Sequence, residues 1–379
     1  MKRKGILVAL IVFSFYLSSE VKNPDKPLKG DWDFKLKKVW EVRAAGKNVF
    51  ARVDGIAAAN DGTLFVFDSK KGINYIFSNE GKYKTSFGPR GEGPGEIRAQ
   101  ERSFLVNDRV VIPGINKIHY FAADGSHIKS VVIKGRRHRP SFFLNENEFV
   151  TATIIPQDAP DGIGDISIID VGSWKRTIIK KFSIFKGGTA GKGAHEIHLV
   201  VNALTPMMIF GYDNNSSPPS KRFYYGMSDT YVINTANISG KVLDFFSIDR
   251  KKRKISTAAK KVRFKRLYQG EPADVVDKLI KSLPDEATYF NRIEIIDGLI
   301  YVFEPYLEYY TRHQQVDIFS QEGKYLFRAF IKPGENLNII FSHFNNFVIK
   351  NGHLYIVLED EYKEGEILIA KYKIVLPEL

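Results

Sequence analysis

The chain has 379 residues, 44% hydrophobic and 13% aromatic, which is enough apolar material for a substantial core and too much for a disordered chain. It contains no cysteine, and this excludes disulfide frameworks, thiolate metal sites, thiol nucleophiles and lipid attachment through a thiol. The net charge of +13 is local. Lys2-Arg3-Lys4 supply three cations and Arg250 to Arg266 supply ten with no acid, so the remainder is formally neutral and nucleic acid is not an expected partner.

Behind Lys2-Arg3-Lys4, an uninterrupted apolar run extends from Ile6 to Leu17 and turns polar at Ser18-Ser19-Glu20. A charged start, a short hydrophobic stretch and a small-residue exit describe a secretory signal or an uncleaved N-terminal anchor over residues 1–19, with a periplasmic or otherwise exported destination. The run is short for a membrane span. Residues 20–31 are rich in Lys, Pro and Gly and read as a linker. From Phe34 to Val42 apolar residues alternate (Phe34, Leu36, Trp40, Val42), the pattern of a half-buried strand.

The clearest unit follows. Gly55-Ile-Ala-Ala-Ala59 is a small-residue strand, Asn60-Asp-Gly62 a hairpin turn, and Thr63 to Phe67 a second strand. Tyr75-Ile-Phe77 and Lys82 to Phe87 are a third and a fourth. The Gly-rich crossing Phe87-Gly-Pro-Arg-Gly-Glu-Gly-Pro-Gly-Glu-Ile97 then leads into a new strand, echoed at Phe185 to Ile197. Four antiparallel strands closed by a crossing loop make one propeller blade. The second strand recurs as Arg109-Val-Val-Ile, Glu148-Phe-Val-Thr, Met207-Met-Ile-Phe, Gly298-Leu-Ile-Tyr-Val-Phe and Gly352-His-Leu-Tyr-Ile-Val. Val316 to Phe330 closely repeats Tyr75 to Phe87, and Trp174 and Gly240 mark the corresponding turns of the two middle units. The expected architecture is therefore all-β, a six-bladed propeller over residues 32–379. The last unit shows three strands, so Phe34–Val42 is expected to complete it and close the ring, leaving no open edge there. A helical insert is predicted over about 250–289, where Pro272 suits a helix start and Val276, Leu279, Ile280 and Leu283 form an apolar stripe.

Asn60-Asp-Gly-Thr-Leu-Phe-Val-Phe-Asp68, Phe77 with Gly81-Lys82, and Phe87-Gly-x-x-Gly-x-Gly-Pro-Gly-Glu96 resemble the NHL repeat. More closely they resemble exported six-bladed propeller proteins of the Bacteroidetes-like type. The resemblance implies the fold over essentially the whole mature chain and, for NHL-type propellers in general, a binding platform or sometimes a lyase or lactone hydrolase. The repeats depart from a regular array, because the third and fourth units lack the Asp-Gly turn.

In such a fold, loops joining second to third strands share one face with the loops crossing between blades. The distinctive segments fall there: Asp68–Asn74, Pro156–Gly164, Gly211–Arg222, Glu304–His313 and Glu359–Gly365, while the other face is expected to carry short turns. Candidate ligand-binding residues are Arg90 and Glu92 in the best-formed crossing loop, and Tyr306, Tyr309, Tyr310, Arg312 and His313 in an aromatic, donor-rich loop suited to sugars or peptides. The glycines of the crossing loop lack the strand–loop–helix setting of a phosphate cradle.

The expected function is an exported, non-catalytic binding propeller for a protein or glycan ligand, without a cofactor. The alternative is a metal-assisted hydrolase or lyase at the channel mouth, in which Asp68, Asp158, Asp161 and Asp213 gather around a Ca-like cation. His195, His198, His119, His127 and His138 read as solvated loop histidines rather than metal ligands. The basic run Arg250–Arg266 is expected to be extended or loosely helical. It either keeps an insert soluble or docks the protein on an anionic membrane or polysaccharide.

Overall fold

The turn chemistry of the first repeat forms as the sequence dictates. Asp61 accepts the backbone N–H and the hydroxyl of Thr63 at 2.8 and 3.0 Å, which fixes the hairpin between the first two strands. The strand that follows, Leu64–Asp68, is buried at every position, because both faces of a blade pack against neighbours. The architecture comes from a computed structural model, which describes residues 20–98, 100, 103–134, 140–154, 163–183, 207–212, 222–261, 272–305, 310–311, 314–334, 337–340, 346–363 and 366–375.

Six four-stranded blades follow in chain order, each listed from its inner strand outward. Blade one is Val53–Ala58, Leu64–Asp68, Ile73–Phe77 and Tyr83–Phe87. Blade two is Phe104–Val106, Arg109–Pro113, Lys117–Phe121 and His127–Val132, and blade three is Phe142–Asn145, Glu148–Ile154, Ile163–Asp170 and Arg176–Ser183. Blade four is Met208–Tyr212, Arg222–Met227, Val232–Asn237 and Val242–Asp249. Blade five is Arg292–Ile296, Leu299–Phe303, Gln314–Phe319 and Tyr325–Ile331. Blade six has Phe347–Lys350, His353–Asp360 and Glu366–Val375, and takes its outer strand from the N-terminus. One apolar cluster fills each gap between consecutive blades. The gap between six and one is no exception, for Tyr355, Val357 and Ile369 pack against Val53, Ile56 and Val66.

The ring closes as the alternation of Phe34–Val42 implied. A single strand, Asp31–Val42, serves two blades. Its first four residues add in parallel to the outer edge of blade five, Asp31 opposite Arg328 and Phe34 opposite Ile331. Lys35 to Val42 then run antiparallel to Val375–Ile369 as the outer strand of blade six. A register irregularity between Lys38 and Trp40 turns Val39 outward and returns Trp40 to the inner face. Trp40 donates its indole N–H to the Asn79 carbonyl of blade one at 2.8 Å. The turn it meets needs Gly81 at φ +77°, and a Cβ there would come within 2.9 Å of the indole.

Two expectations are corrected. Residues 20–31 are not a linker: Glu20–Pro24 is a strand parallel to the outer edge of blade four, Glu20 opposite Phe245. Its Asn23 is buried, donates to the Ser247 and Gly323 carbonyls at 3.0 and 2.9 Å, and accepts the Tyr325 N–H at 2.9 Å, joining blades four and five. The N-terminal arm is thus a belt around blades four, five and six. Next, Met207–Phe210 belongs to the inner strand of blade four, not a second strand, and Arg222–Met227 is the second. The connection between them therefore leaves from the face opposite the one expected for Gly211–Arg222. The helical insert, in contrast, forms where its apolar stripe placed it. A helix spans Ala273–Ser282 with Pro272 at its N-cap, Ile280 and Leu283 are buried, and residues 257–261 form a further helical segment.

Candidate ligand-binding face

Strand direction alternates outward through a blade. The second strand and the outer strand therefore end on one face, where the second-to-third loops and the crossings meet. On this face the loop bases share a device. In blades one, five and six the second strand ends in an acid or runs directly into one, and that acid ties its loop to a neighbouring crossing segment. In blade one the buried Asp68 accepts the backbone N–H groups of Ala51, Arg52 and Lys71 at 2.8, 3.2 and 3.2 Å. Its oxygens are committed to the backbone, which removes it from the expected cation cluster; Asp158, Asp161 and Asp213 lie outside the described residues. In blade six Arg43 of the crossing reaches Asp360 and Glu366, each at 3.0 Å.

In blade five Glu304 accepts from Arg250 at 3.2 Å and Gln315 at 2.7 Å, while Arg253 donates to the Pro305 carbonyl at 3.1 Å. The Tyr-rich loop rises from this base. Its Tyr310–Thr311 pairs with Ile340 and Ile339 of the next crossing, and Leu337–Ile339 of that crossing pairs with the second strand of blade six. A small ladder thus bridges the loops of blades five and six. Tyr306, Tyr309, Arg312 and His313 lie outside the described residues.

The Gly-rich crossing is organised by Glu96, which accepts the Gly93 N–H at 2.8 Å. Gly93 is not the left-handed position; Gly88 and Gly95 are, at φ +59° and +76°. Gly91 is required for a different reason, since a Cβ there would sit 2.0 Å from the Glu96 carboxylate. Arg90 is exposed, with its stem against Gly72 of the second-to-third loop. Glu92 pairs with Arg98 of the same loop at 2.6 Å in an exposed contact worth little to stability.

The histidine expectation is corrected for His119. It is buried at the outer side of blade two, where its Nδ1 lies 3.0 Å from Ser130 Oγ, which also meets His127 Nε2 at 2.9 Å. Burial, with lesser help from His127 and Lys117, pushes the His119 imidazole down to about 4. His138, His195 and His198 fall outside the described residues. Among the described residues no three acidic or imidazole side chains converge as a metal site.

The basic run is the largest surprise in this half of the molecule. Arg250 is 9% exposed and sits between blades four and five. It donates to Asp25 at 2.6 Å, Asp317 at 2.7 Å and the Tyr325 hydroxyl at 3.2 Å, and stacks over Tyr231 at 5.2 Å. Tyr231 and Tyr325 donate to Asp317 at 2.6 and 2.5 Å, and Arg328 donates to Asp25. Burial opposes the Arg250 charge, but Asp317 outweighs it and keeps the guanidinium firmly protonated. Burial and the Asp317 carboxylate raise Glu304 above the usual carboxylate range. Lys260 is buried as well and donates to the Leu283 carbonyl and Asp285 at 3.0 and 2.5 Å. So Arg250, Arg253 and Lys260 are structural, while Lys251 and Lys254 face solvent. Sequence reasoning missed this network. Its one signal is Asp317, an acid standing in an apolar third strand at the place Tyr75 takes in blade one.

These strands, gaps and closing arm define an all-β, six-bladed propeller. A family model described as a 6-bladed beta-propeller, DUF5128, matches residues 45–131, the first two blades and the crossing between them. Two solved structures share the fold along nearly their whole lengths. A member of the DUF4221 family from Bacteroides vulgatus is 11% identical with a TM-score of 0.56, over 91% of this chain and 99% of its own. A candidate exported protein from Bacteroides fragilis is 12% identical with a TM-score of 0.54, over 95% and 100%. At such identities the likeness is one of fold. No curated protein matches the sequence.

Proposed function

We propose that the protein is an exported, non-catalytic binding propeller that takes a protein or glycan ligand on its long-loop face. The observation that carries this reading is the bracing of that face. Crossing segments and second-to-third loops are tied to one another by Asp68, Glu304 and Arg43, and by the ladder of Tyr310–Thr311 with Ile339–Ile340. Loops held this firmly on a rigid scaffold suit recognition, because little ordering entropy is lost when a partner binds. Export is supported by the basic and apolar start of the chain and by the Bacteroides fragilis structure described as that of a candidate exported protein.

Two experiments test the reading. Residues 1–25 fused to a reporter active only outside the cytoplasm should give activity, and a silent fusion removes the export. Ligand capture from envelope material and glycan arrays should then be compared between the intact protein and a variant carrying Tyr309→Ala, Tyr310→Ala and Arg312→Ala. Retention of every ligand by that variant and by Arg90→Ala excludes the long-loop face.

A further inference from the structure

Three loops of blade one meet on the long-loop face and touch. They are the crossing from blade six (43–52, with the hairpin of Ala44–Ala45 and Asn48–Val49), the second-to-third loop (69–72) and the start of the Gly-rich crossing (88–98). Lys71 donates to the Val49 carbonyl at 2.5 Å, Arg52 donates to Ser69 at 2.7 Å, and Arg90 lies against Gly72. The loops carry the exposed cations Lys47, Arg52, Lys70, Lys71, Arg90 and Arg98. Their acids are already engaged. Asp54 pairs with Arg52, Glu92 with Arg98, Glu96 holds the Gly93 amide, and Asp68 holds three backbone amides. Lys47, Lys70, Lys71 and Arg90 are left without an acidic partner among the described residues, so a short cationic strip crosses an otherwise charge-balanced propeller.

The geometry points to an acidic polysaccharide, one bearing uronate or sulfate groups, lying along this strip. The inference rests on the long-loop face being the binding face and gives its ligand a chemistry. Two observations choose a glycan chain over other polyanions. The adjoining end of blade six carries Glu359 and the exposed Glu361, beside Asp360 and Glu366 that already hold Arg43, so a flat anionic bilayer spread over the face would meet carboxylates next to the cations, whereas a narrow chain can follow the strip alone. An acidic peptide is ordinarily anchored by a large side chain in a desolvated pocket. The strip's exposed large apolar side chain is Val49, at the hairpin, and it stands out from the surface rather than lining a cavity. Cations on flexible stems over backbone-braced loops suit repeated carboxylates or sulfates, with affinity that falls as salt rises.

The test uses the full mature chain, affinity electrophoresis in gels containing alginate or heparin, and vesicles of phosphatidylglycerol and polyglutamate as rivals. The variant is Lys47→Glu with Lys70→Glu and Arg90→Glu, none of which has an acidic partner among the described residues. Its melting temperature should match that of the parent. Lys251→Glu with Lys252→Glu serves as a charge control in the insert. The inference expects retardation by at least one acidic polysaccharide, weakened at least tenfold by the triple variant and by high salt, and largely kept by the control. Equal retardation of parent and triple variant overturns it, as does no retardation at low salt. Vesicle or polyglutamate binding without polysaccharide binding also overturns it. If binding survives the triple variant but is lost on Tyr309→Ala with Tyr310→Ala, the strip fails and the long-loop face stands. If neither set of changes matters, both fail.

Discussion

Blades four to six and blades one to three are built from the same four-stranded unit, yet they are finished differently. The N-terminal arm belts the first group. Glu20–Pro24 covers the edge of blade four, Asp31–Phe34 that of blade five, and Lys35–Val42 becomes the rim of blade six. Among the described residues the outer strands of blades one to three have no such cover, and their edges carry charge instead, through Lys82 and Lys84, Lys129, and Lys175, Lys180 and Lys181. The covered half also holds a buried ionic network that joins two blades. The arm brings Asn23 and Asp25 into the junction of blades four and five, where Arg250, Asp317, Tyr231 and Tyr325 form a buried ionic network. Blades one and two, in contrast, are joined mainly by apolar contact and by the Gly-rich crossing. At this junction the covered edge excludes water that would otherwise solvate the ions, whereas blade three buries Asp165 against its own Arg176 and Ser167 without such a cover.

The sharpest way to break this comparison is to remove the centre of the network. Arg250→Met should destabilise by about 3–5 kcal/mol in urea unfolding, because Asp317 keeps its burial and loses the nearer of its two cations, with only Arg328 left at 3.7 Å. A loss below about 1 kcal/mol would show the junction to be solvated. Next in size is Gly91→Val, whose side chain collides with Glu96 and should cost about 1–3 kcal/mol, well above Gly93→Val, where the backbone is not left-handed and Glu96 lies farther away at 3.1 Å. Equal melting temperatures would refute the role given to Glu96. Asn23→Ala should cost about 1–3 kcal/mol by orphaning the Tyr325 amide, and an unchanged melting temperature would detach the arm from the ring's stability.

A smaller effect comes from the uncovered half and depends on pH. The folded state holds His119 at about 4, below the value of about 6.5 expected when unfolded, so the unfolded chain binds the proton more readily between them. His119 therefore favours the fold fully above about pH 6.5, and that contribution is lost as pH falls toward 4, at up to roughly 1.4 kcal/mol per unit. His119→Asn should flatten the slope of stability against pH in that window. An identical slope would assign the acid sensitivity elsewhere. Smallest of all, Lys251→Ser should change stability by less than about 0.5 kcal/mol, as expected for a solvent-facing cation.

How much of this was legible depended on whether the signal was local. The blades were, because Asn60-Asp-Gly62 and its copies fix turns by their own side chains and the strands between them alternate or run apolar. Closure was also legible, since a half-buried strand at the start and a three-stranded unit at the end imply each other. Glu20–Pro24 was not. Its Lys, Asn and Pro have the composition of a linker, and its strand pairing comes from blade four, more than two hundred residues away. The face of the segment after Tyr212 was misread because Met208–Tyr212 is as apolar as a second strand. Arg250 looked like one member of a charge run, when its partners Asp25, Glu304 and Asp317 come from three distant places in the chain. Arg90 and Glu92 lie exposed on the crossing loop, where Glu92 pairs with Arg98 of the same loop.

The twelve residues from Asp31 to Val42 also set an order of events. Lys35 meets Val375, some 340 residues later in the chain, so a strand near the start of the fold waits on the last strand of blade six for its partner. Until Glu366–Val375 exists, the Lys35–Val42 half of that strand has no partner and Trp40 has no gap to fill. A chain halted before residue 366 therefore carries an unpaired half-strand, an edge open to another copy of itself. Closure of the ring waits on the last strand of blade six.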